Sequence, residues 1–412
     1  MTQEFSSGIR RSERPLVETP PVQEQIAGPT DSCGSHLDIP ALNALALRSL
    51  VSLFEEREKL FSRRVTLTED GFHREGTSRK RTIIALLGLQ RLAESGVAPP
   101  VDIASIRDAL LRDTSWVRSV GDLGLLTWFT AECAPERIEV LLNELDFGQA
   151  LVRYADGRQA HTRGLAWFLA GIAHARLARP ETLPDLTDVA VDAYHLLEDN
   201  QGEGGIFGHA TLPGFLPRTL CNRFGTFADQ IYAIYAFTMF SRAFQVEEPL
   251  GSALGCANAV RALQGQMGQW WFLYDKRACR VVNRYPVVSL HQDGIAPLGL
   301  MALQEATGQS FDESIYKGLS WTAGVNELGC DLRNLERGLI WDAIGTNRRM
   351  DDYWETALSL LKISCGPQRE RLRVRYEARP DHFGWLLYAF GRSGLPKAAT
   401  VAKAATTQSG NS

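Results

Sequence analysis

Two kinds of helical pattern alternate along the chain from residue 40 onward. In one, apolar residues run almost all the way round: "TIIALLGLQRLAE" (82–94), "GDLGLLTWFTAE" (121–132), "TRGLAWFLAGIAHARLA" (162–178), "FADQIYAIYAFTMFSRAF" (227–244), "HQDGIAPLGLMALQEA" (291–306) and "PDHFGWLLYAFGRS" (380–393). A helix without a polar stripe must be surrounded by protein. The other kind carries apolar residues at i, i+3 and i+4 with charge elsewhere, as one-sided helices do. It covers 46–61, 103–113, 135–146, 184–199, 252–264 and 312–321, with 353–363 as an extra copy. Six buried helices, each preceded by an amphipathic one, predict an inner ring inside an outer ring: an all-α (α/α)6 toroid.

Spacing between the elements refines this picture. Links from a buried to an amphipathic helix are about 2–8 residues, usual for packed helix pairs. Most links in the other direction are long, about 15–27 residues, and loops of that length in a compact domain are usually functional. In a toroid they emerge on one face, where the inner helices begin. Strand signals are few; 277–290 and 369–380 are β-branched, interrupted by Pro, and suit short β-hairpin arms over that face. The expected domains are a disordered tail over 1–36, one toroid over 37–396 and a second tail over 397–412.

Composition narrows the partners. A net charge of −4 with no Lys/Arg block gives no reason to expect nucleic acid or an anionic membrane surface. No apolar run reaches the ~18 residues of a membrane span. Seven scattered cysteines without a C-x-x-C pair fit a reducing compartment, and a cytoplasmic location is expected. No cofactor is called for: the chain lacks a Walker motif, strand–helix alternation, a DDxxD motif and any Cys–His pair at a helix start, which argues against zinc.

The residues opening the buried helices carry the candidate chemistry. They are Arg79 and Arg81; Asp122; His161 and Arg163; Asp229 and Gln230; His291, Gln292 and Asp293; and Asp381 with His382. Asp at a helix start also serves as an N-cap, but capping does not call for His or Gln beside it. His291, Asp293, Asp381, His382, Asp229 and Tyr285 are therefore the candidates for acid–base work. Inner-helix N-termini offer free N–H donors, and Arg163, Arg218, Arg223, Arg280 and Arg284 offer forks for carboxylate or phosphate. Trp270, Trp271 and Tyr274 suit stacking on a sugar ring, with Gln230, Gln292, Arg284, Arg163 and Glu327 as further binding candidates.

Two resemblances bear on the reading. "QGEGGIF" (201–207) and "QGQMGQW" (264–270) share a Gln-x-x-x-Gly-x-(Phe/Trp) pattern similar to the QW repeat of terpenoid cyclases and prenyltransferases, where Gln and the aromatic tie an outer-helix end to the next turn. "NRYPVVSLHQDGIAPLGLMALQEATG" (283–308) resembles the C-terminal domain of D-glucuronyl C5-epimerases through Tyr285, Pro286, Ser289, Ala296, Leu298, Gly299, Leu300 and Thr307-Gly308. His291, Gln292 and Asp293 depart from that family's pattern. The resemblances imply a toroid and a carbohydrate-active enzyme on an acidic saccharide, epimerase-like or a hydrolase or lyase. A terpenoid-cyclase-like enzyme with a non-standard acid and a non-catalytic scaffold are the alternatives.

Overall fold

The computed structural model describes residues 38–156, 161–182, 186–210, 222–346 and 371–395. The expected tails, the extra helix over 353–363 and Arg218 lie outside the described residues. Among those residues thirteen α-helices form: α1 (Ile39–Leu53), α2 (Arg79–Ala93), α3 (Ile103–Arg112), α4 (Val120–Cys133), α5 (Ile138–Glu144), α6 (Phe147–Asp156), α7 (Thr162–Ala178), α8 (Thr187–Glu198), α9 (Phe227–Phe244), α10 (Glu248–Ala262), α11 (Ala296–Thr307), α12 (Asp312–Thr322) and α13 (Pro380–Phe390). The six apolar segments are α2, α4, α7, α9, α11 and α13. Each packs on the next, and α13 packs back on α2, so the inner ring closes as an (α/α)6 toroid. The outer layer comes from the amphipathic helices. The N-terminal α1 packs on α13, where Asn43 donates to the carbonyls of Phe390 and Gly394, both at 2.9 Å.

Glycine sets how tightly the inner ring is drawn. A Cβ on Gly171 of α7 would overlap the carbonyl of Gly124 in α4, and one on Gly88 of α2 would overlap the carbonyl of Gly384 in α13. At both seams backbone meets backbone, which only a residue without a side chain permits. The C-terminal ends of the ring are filled by a buried polar knot. Glu132 of α4 accepts from Arg91 (2.9 Å), from Trp128 (3.1 Å) and from the Tyr388 hydroxyl, while His174 of α7 meets the Tyr235 hydroxyl at 2.8 Å. The polar openings of the inner helices lie at the opposite end.

Small antiparallel sheets decorate that face. Phe224–Thr226, Leu273–Asp275 and Arg280–Asn283 form one, and Val287–Val288, Ala343–Thr346 and Leu372–Arg375 another. Glu377–Ala378 joins Val65–Thr68 and Gly71–Arg74 in a third. Strands thus form in both stretches expected to carry them. Within each stretch the two strands belong to different sheets, so the crossovers are knitted to one another.

Three local differences from the sequence pattern have plain causes. The segment 46–61 ends its helix at Leu53 and turns into a pair of two-residue strands. The segment 135–146 breaks into a short 3-10 turn and α5, and α6 follows at once as a second outer helix. The segment from 291 opens with a π-helical turn, His291–Ile295, before regular α11 begins. Such turns are commonly found at functional sites.

The packing at Gly171 can be tested directly. Gly171→Ala should cost about 1–3 kcal/mol of unfolding free energy, because the ring has no slack there. Gly251→Ala, in open space on α10, should be neutral or stabilising by up to ~1 kcal/mol. Denaturant midpoints measure both; equal midpoints for the two variants would contradict the seam.

Candidate active site at the inner-helix mouth

Each of the two QW-like motifs folds into the same device. Gln201 donates to the carbonyl of Gly205 (3.0 Å) and to that of Ser252 in α10 (2.8 Å). Gln264 donates to the carbonyl of Gly268 (3.0 Å) and to that of Ser314 in α12 (2.9 Å). The turn glycines sit at φ +87° and +94°, a region other residues rarely adopt. Each aromatic is then held by a second glutamine, from the next inner helix. Gln230 accepts from the Phe207 N–H (2.7 Å) and donates to its carbonyl (2.9 Å). Gln292 accepts from the Trp270 N–H (3.1 Å) and donates to its carbonyl (3.4 Å). A carboxamide carries one donor side and one acceptor side, which is what an isolated extended residue needs.

This device corrects four of the expected binding residues. Gln230 and Gln292 commit their amides to the crossovers. Trp270 is fully buried, stacked on Phe227 at 5.1 Å, and Tyr274 is fully buried with its hydroxyl pushed far up by that burial. All four side chains are buried. Glu327 is likewise occupied, accepting from Trp321 (2.8 Å), Tyr285 (3.0 Å) and Gln269 (3.1 Å). Tyr285 is thereby tied to Glu327. Trp271 is half-buried, edge-on to Tyr285 at 6.1 Å, with the exposed Arg284 stacked over it at 5.4 Å. Arg223 grips Asp275 through two nitrogens, at 2.7 and 3.2 Å, and Arg280 approaches the same carboxylate at 4.0 Å.

The polar openings pair with one another around the ring. Lys80 meets Asp122 at 2.5 Å and Arg81 meets Asp381 at 3.2 Å, stitching α2 to α4 and to α13. Arg79 lies outside the mouth, on Asp113. Asp122 and Asp229 also serve as caps, Asp229 in a reciprocal capping box with Thr226.

Two of the pairs share a form that suits chemistry. Asp293 holds His382 through Oδ1 at 2.5 Å, and Asp229 holds His209 through Oδ2 at 2.9 Å. In both, the second carboxylate oxygen is buried without a hydrogen-bond partner. Unpaired buried oxygens cost free energy and mark places where a polar partner is wanted. His209 and Arg379 are absent from the residues singled out by sequence. Their only signals are position, His209 in a long crossover and Arg379 just ahead of α13.

His291 is also buried, packed on Phe227 at 5.2 Å, with an unpartnered Nδ1. Burial lowers its pKa from 6.5 to about 3, helped by the charges of Arg379, Arg163 and His382, with Asp229 opposing. His209 shifts the other way, raised by its hydrogen bond to Asp229. Burial alone would raise the Asp229 carboxyl, but His209 and Thr226 outweigh it and hold it below the ordinary value.

Beside this axial group a cavity of about 690 Å³ opens over the starts of α4 and α7, against α6. Lys80, Arg118, Arg153, His161, Arg163 and Trp167 are among its walls.

No family model matches the chain, and neither does any curated protein. Solved structures do match. One described as a possible member of the GH105 family from Salmonella enterica aligns with a TM-score of 0.55 at 11% identity, over 92% of this chain and 99% of that one. An unsaturated glucuronyl hydrolase specific for heparin aligns at 0.54 and 14%, over 89% and 98%. A sugar epimerase from a ruminal bacterium aligns at 0.53 and 10%, over 87% and 100%. The fold these likenesses share with this chain is the α/α toroid.

The His291 environment carries a pH signature. Folded His291 stays neutral while the unfolded residue takes a proton below about 6.5, so its contribution to stability is complete above that value and is lost as pH falls toward about 3. His209 works in the opposite sense and Asp229 acts only at lower pH. His291→Gln should therefore lose less stability than the parent between pH 7 and pH 5 in denaturant titrations. An equal loss would show that the imidazole is not held neutral.

Proposed function

We propose that this chain is a carbohydrate-active enzyme that acts on an acidic saccharide, with Asp293 and Asp229 as its two proton-transfer carboxylates. One observation carries the reading: two buried Asp–His pairs, Asp293–His382 and Asp229–His209, each leave one carboxylate oxygen without a hydrogen-bond partner. Sugar chemistry of this class requires two groups. A glycosidic bond is broken with one carboxyl giving a proton and the other acting on the opposite face. C5 epimerisation removes a weakly acidic proton from one face and returns one on the other. Either need is met by the same pair.

The supporting residues have distinct tasks. His382 and His209 orient the two carboxylates. His291, neutral at working pH, donates a hydrogen bond to oxygen without bringing a charge, as a depressed imidazole can. Arg163 offers its fork to the uronate carboxylate and stabilises negative charge that develops beside it. The glucuronyl hydrolase and sugar epimerase likenesses agree with a saccharide, and the cationic cavity agrees with an acidic one. A hydrocarbon substrate would call for a dry, apolar wall instead. The scattered cysteines, none of them in a C-x-x-C pair, support a reducing, cytoplasmic setting.

The test is turnover of saturated and 4,5-unsaturated uronate oligosaccharides in deuterated water. Hydrolysis would appear as new reducing ends, and epimerisation as deuterium at C5 with the chain intact. Asp293→Asn should reduce turnover by about 10²–10⁴-fold with little change in melting temperature. No turnover of any uronate, or a fully active Asp293→Asn protein, would overturn the proposal.

A further inference from the structure

The axial group accounts for one acidic sugar, yet the cavity beside it carries more positive charge than one carboxylate needs. Its walls hold four fixed cations, Lys80, Arg118, Arg153 and Arg163, against one carboxylate, Asp146. Asp146 is partly occupied as a helix cap, accepting from the Gln149 N–H at 2.8 Å. Lys80 is matched by Asp122. The three arginines make no ion pair among the described residues, and all three are exposed to the opening. Such a cluster in a chain with net charge −4 is a local excess, not a reflection of composition.

The cavity is also joined to the axial group. Trp167, on its inner wall, lies edge-on to Tyr232 at 5.2 Å, and Tyr232 lies against Trp385 of α13 at 6.0 Å. Arg163 stacks over Trp167 at 5.4 Å, and its charge also reaches His291. One arginine therefore serves both places. The half-buried indole gives the neighbouring compartment a flat wall of the kind that accepts the apolar face of a sugar.

We infer that this cavity is a second anion-binding subsite, taking a sulfate, phosphate or further carboxylate on the sugar next to the one that reacts. The substrate is then a saccharide with at least two negative groups on adjacent units. Arg118 and Arg153 bind the second group, Arg163 stands between the two, and Trp167 supports the ring. This inference rests on the proposed function for the word substrate, but the anion site itself does not depend on turnover.

Sucrose octasulfate, with sucrose as the neutral control, probes the site by titration calorimetry at fixed low salt. Octasulfate should bind and sucrose should not. The Arg118→Gln/Arg153→Gln protein should bind at least about tenfold more weakly. Arg48→Gln/Arg57→Gln, which removes the same charge from another surface, should stay within about twofold of the parent. Absence of binding, or equal weakening in the two double variants, would overturn the subsite. Binding that follows Arg118 and Arg153 in a protein that turns over no uronate would keep the subsite and discard the enzymatic reading.

Discussion

The structure depends on how long crossover loops are held over the mouth of a helical ring. Such loops bring unpaired peptide groups into a buried place, and the cost must be met locally. Here it is met by glutamine. In two consecutive repeats, one glutamine at an outer-helix end pins a tight glycine turn to the next outer helix, and a second glutamine from the next inner helix satisfies the aromatic residue that follows. The same inner-helix openings then present Asp229 beside Gln230 and Asp293 beside Gln292. Fixing the loop and aiming the carboxylate are thus one structural act, and the basin inherits its precision from the loops.

That coupling explains what the sequence revealed and what it concealed. Helices lacking a polar stripe could belong only to an inner ring, so the toroid was legible from periodicity alone. Loop lengths pointed to the face where the inner helices begin, and the presence of His and Gln beside Asp at those starts exceeded what capping requires. The roles of Gln230, Gln292, Trp270 and Tyr274 were not legible, because polar and aromatic residues near a mouth look alike whether they bind ligand or backbone. Partner identity decides, and partners come from distant loops. His382 meets a carboxylate from a different inner helix, and His209 arrives on the long crossover ahead of α9. Glu327 reads as a free acid until Trp321, Gln269 and Tyr285 close on it.

Charge is distributed with a purpose that composition hides. The chain is mildly acidic overall, yet Lys80, Arg118, Arg153 and Arg163 gather around one cavity at the mouth. The polar knot of Glu132, Arg91 and Tyr388 sits at the far end, where it seals the ring. Trp167 joins the cavity wall to the ring interior, lying edge-on to Tyr232 with Arg163 stacked over it.

The most direct measurement is a crystal structure of the Asp293→Asn protein soaked with an acidic disaccharide. The account requires the sugar to lie within hydrogen-bond reach of both the substituted carboxamide and Asp229, with a carboxylate on Arg163. A disaccharide seated away from both Asp–His pairs, or turned so that its carboxylate avoids Arg163, would contradict it.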